Sequence, residues 1–329
     1  MISIKRFSSF SYLLPIFLLS IFAYNPFFKA SSQDRSVRSV SFAEDGHERT
    51  YYLHLPPQGT PGKKYPLLIV LHGGGGNGKG MIKLTRGRFN ELADRDSFIV
   101  IYPDGINKHW NDGREGIETG YSSQENNVDD VAFLSALMDK MISEQHADEK
   151  RIYVTGMSNG AMMTYRAGCA LGARIAAIAP VAGDIPEHLL QVCKPGKPVS
   201  VLAINNTNDP LMPYNGGEVT GPFGRRKLGK VLSARESVIA WVKTDGCEDP
   251  PMLTDVPDQD PSDGTRIQKE CWANGRNHTE VILYTVDGGG HTWPGGLQYL
   301  GEGLVGKTSR DMNACDQIWE FCKKHSLAY

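Results

Sequence analysis

The pentapeptide Gly156-Met157-Ser158-Asn159-Gly160 carries the clearest chemical signal, because an apolar run leads into it and a helix-like stretch follows. A serine at a sharp strand-to-helix turn sits in strained backbone, and side chains two positions to either side would crowd it. Glycine at those two positions removes the crowding. This context predicts a nucleophile elbow that presents the Ser158 hydroxyl at the edge of a sheet. The alternative is a strand–turn–helix connection that merely contains a serine.

A serine hydroxyl is a weak nucleophile, so it needs a base, commonly a histidine that a carboxylate orients. In chains with a nucleophile elbow the order is serine, acid, histidine. Asp209 follows the apolar run 199–204, and His291 follows the apolar run 280–286 behind three glycines. Both come after predicted strands, where open sheets of this kind place their sites. We predict Asp209 as the acid and His291 as the base.

Three other residues compete for these two roles. Asp184 also follows a short apolar run, and we prefer Asp209 because of its place in the order of the sheet. His72 and His109 are weaker candidates for the base, because both precede the serine in the chain.

Attack of a serine on a carbonyl carbon also needs N–H donors for the negative charge that develops on the carbonyl oxygen. We predict one donor at Asn159, directly after the nucleophile, and another at Gly74 in the glycine-rich loop 72–76. Trp110 and Trp293 are predicted substrate-binding residues, since Trp293 lies two positions beyond the predicted base. A role in packing alone is the alternative for each tryptophan.

Two further patterns suggest ligands but do not meet the requirements for them. Residues 73–79 read Gly-x-x-x-x-Gly-Lys, yet Gly80 stands where a phosphate-binding loop has the Ser or Thr that holds magnesium. The segment 258–264 is acidic, but it lacks the spacing and the bidentate glutamate of an EF-hand, which favours a solvated turn over a calcium site. We therefore predict neither a metal nor an organic cofactor.

The amino-terminal segment is typical of a secretory signal peptide. Lys5 and Arg6 precede an apolar run at 13–23, and polar residues follow it. We predict a signal within residues 1–30, a single catalytic domain over 31–329, and a secreted or periplasmic location. An uncleaved membrane anchor is the alternative, and only in that case do we expect a membrane partner.

Composition places the chain among ordinary globular proteins. Its 329 residues, of which 40% are hydrophobic, are enough to form a sizeable core. The formal net charge is −2. No basic stripe is present, so we do not expect a nucleic acid as partner.

The chain contains six cysteines, and export to an oxidising compartment favours disulfides among them. None belongs to a Cys-x-x-Cys pair, which argues against zinc and redox motifs. Of the possible pairings we choose Cys169–Cys193 and Cys247–Cys271, because each pair brackets a compact excursion of the chain. Cys315 and Cys322 lie two turns apart on one predicted helix, roughly 10 Å of rise, so they cannot bond to each other.

Strand and helix patterns alternate along the chain. Strands are predicted at 37–42, 49–55, 67–71, 98–102, 152–155, 176–181, 199–204 and 280–286, and helices at 81–96, 131–142, 233–245 and 309–325. This alternation predicts an α/β fold with a mostly parallel central sheet and helices on both faces. The stretches 215–229 and 255–264 are predicted to be surface insertions.

These segments together resemble the secreted esterase family that includes small polyhydroxybutyrate depolymerases, feruloyl esterases and acetylxylan esterases. The matching pieces occur in one order over nearly the whole mature chain, at 71–77, 110–114, 128–134, 155–163, 207–214 and 289–296. The resemblance implies an α/β-hydrolase fold and a catalytic triad of Ser158, Asp209 and His291. Where many relatives carry His-Gly, this chain has Asn205-Asn206, a departure that leaves the triad intact and bears on substrate preference.

The predicted function is therefore a serine carboxylic ester hydrolase that works through an acyl-enzyme. Its expected partner is an ester substrate, either a feruloyl or acetyl ester of a polysaccharide or a short polyhydroxyalkanoate ester. A serine peptidase and a catalytically inactive binding protein on a hydrolase scaffold are the alternatives.

Overall fold

A computed structural model describes residues 38–44, 46–57, 62–115, 128–221 and 227–328. The predicted signal peptide lies outside these ranges. Within them, ten strands form one sheet in the order β1-β2-β4-β3-β5-β6-β7-β12-β11-β10. The strands are β1 (Arg38–Glu44), β2 (His47–His54), β3 (Tyr65–Leu71), β4 (Ile99–Pro103), β5 (Ala147–Met157), β6 (Ala177–Val181), β7 (Ser200–Asn206), β10 (Met252–Val256), β11 (Arg266–Trp272) and β12 (Val281–Asp287).

The six central strands, from β4 to β12, run parallel, and antiparallel strands extend both edges. The prediction of a mostly parallel sheet is therefore confirmed. The helices are α1 (Gly78–Leu84), α2 (Arg88–Asp96), α3 (Asp130–Gln145), α4 (Asn159–Leu171), α5 (Glu187–Val192), α6 (Ala234–Asp245), α7 (Glu302–Val305) and α8 (Ala314–Cys322).

The parallel strands are buried on both faces, which explains their unbroken apolar runs. In β3, Leu67, Ile69 and Leu71 join one hydrophobic core, whereas Leu68 and Val70 join a second core on the opposite face. Helices α3, α4 and α6 supply side chains to the first core, and α2 and α8 supply them to the second. Among the described helices, none combines the length and the apolar composition needed to cross a bilayer.

Local signals set the helix boundaries. Asp129 caps α3, because its side chain accepts a hydrogen bond from the Ala132 N–H. The predicted helix 81–96 is wrong as one element: it divides into α1 and α2, because Arg86 and Gly87 take φ values of 55° and 69°. These left-handed conformations cannot continue an α-helix.

The two predicted insertions contain strands that sequence periodicity did not reveal. Strands β8 (Gly217–Thr220) and β9 (Lys227–Val231) form a separate antiparallel pair within and just after 215–229. Strand β10 ends inside 255–264, and the acidic turn that follows is held by hydrogen bonds, such as those from Thr265 to Asp263. Short, partly exposed strands of this kind lack the long apolar runs that identify the central ones.

Of the two predicted disulfides, the structure contains one. Cys169 and Cys193 are bonded, with 5.0 Å between their Cα atoms, so that prediction is confirmed. Cys247 and Cys271 are both free thiols, so the second predicted pairing is wrong. Cys271 belongs to β11, which pairs with β10 on one side and β12 on the other, so β-sheet register rather than a covalent bond fixes its place.

Candidate active site

Ser158 lies at the sharp turn between β5 and α4. Its backbone angles, φ 58° and ψ −120°, are strained for a non-glycine residue. A Cβ atom on Gly156 would lie 2.6 Å from the Gly160 carbonyl oxygen, and one on Gly160 would lie 2.5 Å from the His72 carbonyl oxygen. Close backbone approach therefore requires both glycines, for the steric reason that the sequence pattern implies.

His291 and Asp209 form a hydrogen-bonded pair. The imidazole Nδ1 lies 2.7 Å from Oδ2 of Asp209, and the two side chains are only 4% and 1% exposed. The other oxygen, Oδ1, accepts from the backbone N–H groups of Leu211 and Met212, each at 2.8 Å. The carboxylate is thus held from two sides. Since it accepts the Nδ1 proton, the Nε2 lone pair of a neutral imidazole is left for the cleft.

The loop that carries His291 is closely packed. A Cβ atom on Gly290 would lie 2.2 Å from the Val305 carbonyl oxygen, and the Tyr299 hydroxyl donates a 3.0 Å hydrogen bond to the carbonyl of His291. The glycine therefore allows the two segments to touch. The competing acid, Asp184, is fully buried and bonds Asn205 instead of His291.

His72 has a structural role in the glycine-rich loop. Its Nδ1 lies 2.7 Å from the Gly73 carbonyl, and its Nε2 accepts a 3.0 Å hydrogen bond from the Gly105 N–H. Nδ1 must therefore be the protonated nitrogen. Burial is the main cause that lowers the pKa of His72 to about 4. Because both ring nitrogens are occupied, His72 cannot act as a base toward Ser158.

Gly74 and Asn159 both border the cleft beside Ser158. Gly75 and Gly76 donate their N–H groups to the carbonyls of Lys108 and Gly73, whereas the N–H of Gly74 makes no backbone hydrogen bond within the described residues. Asn159 is the first residue of α4, so its N–H has no acceptor inside the helix.

The side chain of Asn159 ties the start of α4 to a neighbouring loop. Its Oδ1 accepts from the Trp110 N–H at 2.8 Å, and its Nδ2 donates to the Trp110 carbonyl at 3.0 Å and to Asp112 at 2.6 Å. Asp112 in turn pairs with the buried guanidinium of Arg114. Sequence reasoning chose Asn159 for its backbone and missed this use of its side chain.

Neither tryptophan contacts the cleft, so the prediction that Trp110 and Trp293 bind substrate is wrong. Both indoles are fully buried. Trp110 donates its indole N–H to the His72 carbonyl at 2.9 Å, and Trp293 meets the Phe89 ring edge-on at 6.0 Å. Both stabilise the loops around the site by packing, because burying so large an apolar side chain is favourable.

Ser158 and His291 line one cleft of about 370 Å³. Its wall is largely apolar; the side chains that sequence reasoning missed include those of Met81, Leu84, Met157, Met162, Leu211, Met212, Val219, Leu228, Tyr299, Leu300 and Val305. A larger polar depression of about 970 Å³, bordered by Gln298 and Lys307, contains neither Ser158 nor His291.

Comparison with known proteins decides the family. The sequence profile described as esterase PHB depolymerase matches residues 49–185. NocK of Nocardia uniformis subsp. tsuyamanensis, an inferred esterase, is 31% identical over 283 residues, which cover 84% of this chain and 79% of that protein. This chain belongs to the esterase PHB depolymerase family. The resemblance seen in the sequence motifs is confirmed, and the enzyme is a carboxylic ester hydrolase.

Other relatives of this esterase are more distant. Feruloyl esterase B of Piromyces equi is 27% identical over 85% of this chain, which spans 46% of that longer protein. Among solved structures, the acetyl xylan esterase from Aspergillus awamori superposes with a TM-score of 0.57 at 15% identity, over 88% of this chain and 99% of that one. At that identity the likeness shows the α/β-hydrolase fold alone, which confirms the predicted fold class.

Proposed function

We propose that this esterase cleaves its substrate through a triad of Ser158, His291 and Asp209. The observation that carries the proposal is the buried 2.7 Å hydrogen bond between His291 Nδ1 and Asp209, in a cleft that Ser158 also lines. Nε2 takes the proton from the serine hydroxyl as its oxygen attacks the ester carbonyl carbon. Asp209 keeps the imidazole in the required tautomer and stabilises the imidazolium that forms.

The negative oxygen of the tetrahedral adduct would be stabilised by the N–H groups of Gly74 and Asn159. Both border the cleft beside Ser158, and the positive end of α4 favours negative charge there. His291 then returns the proton to the leaving alcohol oxygen as the carbon–oxygen bond breaks. Water attacks the resulting acyl-enzyme with the same base, which releases the acid and restores the serine.

We further propose that the substrates are feruloyl or acetyl esters attached to a polysaccharide, or short polyhydroxyalkanoate esters. The names of the relatives support this range. We also propose that the protein is exported, which agrees with the Cys169–Cys193 disulfide, because such bonds persist mainly in oxidising compartments.

Hydrolysis of 4-nitrophenyl acetate by the wild type, Ser158→Ala and Ser143→Ala tests the triad. Ser143 is a matched control, because it lies on the exposed face of α3 and bonds only carbonyls of its own helix. We expect Ser158→Ala to lose activity by a factor on the order of 10³ or more, and Ser143→Ala to keep it. Equal rates in all three proteins would refute the proposal.

A substrate panel separates the ester classes and the alternatives. Methyl ferulate, acetylated xylan, hydroxybutyrate oligomers and a peptide 4-nitroanilide are compared at equal enzyme concentration. Turnover of esters without turnover of the anilide supports the esterase. Preferential anilide cleavage would show a serine peptidase, and binding without turnover of any substrate would show an inactive scaffold.

A further inference from the structure

The β8–β9 hairpin forms one side of the cleft. A small hydrophobic cluster joins it to the first turn of α4 and to the loop after Asp209, and this cluster is separate from both cores of the sheet. Four of its side chains line the cleft; three of them, Met162, Val219 and Leu228, lie on the hairpin and on the helix that faces it, and are at most 5% exposed. We refer to these three residues as the hairpin wall.

The hairpin wall is fixed to the catalytic region by a chain of polar contacts. Arg114 donates to the Leu228 carbonyl at 2.6 Å and pairs with Asp112 at 2.8 Å, and Asp112 accepts from Asn159 at 2.6 Å. On the other strand, the Thr220 N–H donates to the Leu211 carbonyl at 3.1 Å. Both strands are therefore anchored, and the space between hairpin and helix has a defined size.

Another part of the cleft wall belongs to the histidine loop. Tyr299, Leu300 and Val305 line it, the Tyr299 hydroxyl donates to the His291 carbonyl, and the His291 N–H donates to the Val305 carbonyl. We refer to these three residues as the histidine wall. Its contacts place it next to the group that must protonate the leaving alcohol.

On the mechanism proposed above, the direction of each part of the substrate follows. The alcohol oxygen must lie at His291, and the carbonyl oxygen must lie at the N–H groups of Gly74 and Asn159. The acyl substituent then takes the remaining direction, past the first turn of α4, where Met162 is one turn beyond Ser158. We propose that the hairpin wall binds the acyl group, that it favours acyl groups longer than acetyl, and that Val219 and Leu228 limit their length.

The chemistry of the wall fits a flexible apolar chain. The three side chains present no conventional hydrogen-bonding group, and each methylene of the acyl chain that is buried against them is removed from water, which favours binding. The thioether of Met162 can adjust to chains of different shape. Because the gain in binding free energy comes from the acyl part of the substrate, kcat/KM should depend on acyl length and should not depend on the alcohol.

Two ester series test the proposal. The first holds the alcohol constant as 4-nitrophenol and lengthens the acyl group from acetyl to octanoyl; the second holds acetyl constant and lengthens the alcohol from methyl to octyl. In Val219→Phe we expect kcat/KM for butanoyl and longer esters to fall at least tenfold relative to the acetyl ester. The alcohol series should keep the profile of the wild type.

Two other variants complete the design. Leu228→Ala should move the preferred acyl length upward, and Leu300→Phe, on the histidine wall, should change only the alcohol series. Turnover of the acetyl ester shows that each variant is folded. An unchanged acyl profile in both hairpin variants, or a change confined to the alcohol series, would overturn the proposal.

Failure of this inference is distinguishable from failure of the proposed triad. The length profile is a ratio between substrates of one enzyme, whereas the triad is tested by the absolute loss in Ser158→Ala. If Ser158→Ala loses activity while Val219→Phe and Leu228→Ala keep the acyl-length profile of the wild type, the triad stands and the assignment of the acyl site is wrong.

Discussion

Replacing Asp184 by asparagine should stabilise this esterase increasingly as the pH rises. Asp184 is fully buried, and its Oδ2 accepts a 3.0 Å hydrogen bond from the Asn205 amide. Burial, with the nearby charge of Asp209 as a lesser cause, raises the pKa of Asp184 well above its usual range. The other titratable groups that face it, Tyr165 and Tyr214, have raised pKa values and are neutral.

A proton on Asp184 explains an otherwise unpaired atom of Asn205. Oδ1 of Asn205 is buried without a hydrogen-bond partner among the described residues, whereas the carboxyl of Asp184 also has the Ser237 hydroxyl as a partner. Two oxygens that only accept cannot satisfy each other, but a carboxylic acid can donate to an amide oxygen while it accepts from the amide nitrogen. Asparagine at position 184 can make the same two hydrogen bonds without a charge that depends on pH.

Proton linkage gives the size of the effect. The folded wild type holds the proton above pH 4, whereas the unfolded chain releases it, so the unfolded state binds fewer protons. The free energy of unfolding of the wild type therefore falls by about 1.4 kcal/mol per pH unit, from about pH 4 up to the folded pKa. The Asp184→Asn variant lacks this loss, so its advantage should grow by about 1.4 kcal/mol per pH unit over the same range.

Urea unfolding of both proteins at half-unit steps from pH 4.5 to pH 8.5 measures the difference. Asp245→Asn is a matched control, because burial is the main cause that raises the pKa of Asp245 to about 7. Its advantage should stop growing near pH 7, whereas that of Asp184→Asn should grow up to the raised pKa of Asp184. A difference that stays flat or decreases with pH would show that Asp184 is ionised in the fold, contrary to our reasoning.

Three other changes test packing and covalent structure. Arg49→Met removes the guanidinium that lies 2.9 Å from the fully buried carboxylate of Asp130, and should lower the free energy of unfolding in urea by about 3–5 kcal/mol; a loss below 1 kcal/mol would argue against a buried ion pair. Gly160→Ala should abolish ester turnover and lower the melting temperature, because its Cβ would lie 2.5 Å from a carbonyl oxygen; wild-type activity would contradict the geometry of the elbow. Removing the disulfide with Cys169→Ser and Cys193→Ser should lower the free energy of unfolding by about 2–4 kcal/mol. A reductant should then have no further effect on unfolding of the double variant; a continued effect would show that a disulfide lies elsewhere.

The central fold could be predicted because its strands are buried on both faces. Such strands leave continuous apolar runs, as in β3, and the helices between them have their own period. The hairpin β8–β9 could not be predicted in the same way, because its strands are short and only some of their residues are buried. Its role as a wall depends on contacts with Arg114, more than a hundred residues earlier.

The site was predictable where chain order and backbone geometry determine it. The elbow glycines are a local steric requirement, and the hydrogen bond between Asp209 and His291 follows from two loops at the same edge of the sheet. The environment of Trp110 and Trp293 was not predictable, because proximity in sequence to the site does not say which way a side chain points. Both turn into the cores.

Covalent trapping of the nucleophile tests the central claim most directly. The enzyme is treated with diisopropyl fluorophosphate, and intact-mass and peptide-mass measurements are followed together with the loss of 4-nitrophenyl acetate turnover. We predict one adduct per molecule, on Ser158, formed in proportion to the lost activity and greatly slowed in His291→Ala. Complete inactivation with the adduct on another residue, or full labelling of Ser158 with turnover intact, would contradict this account.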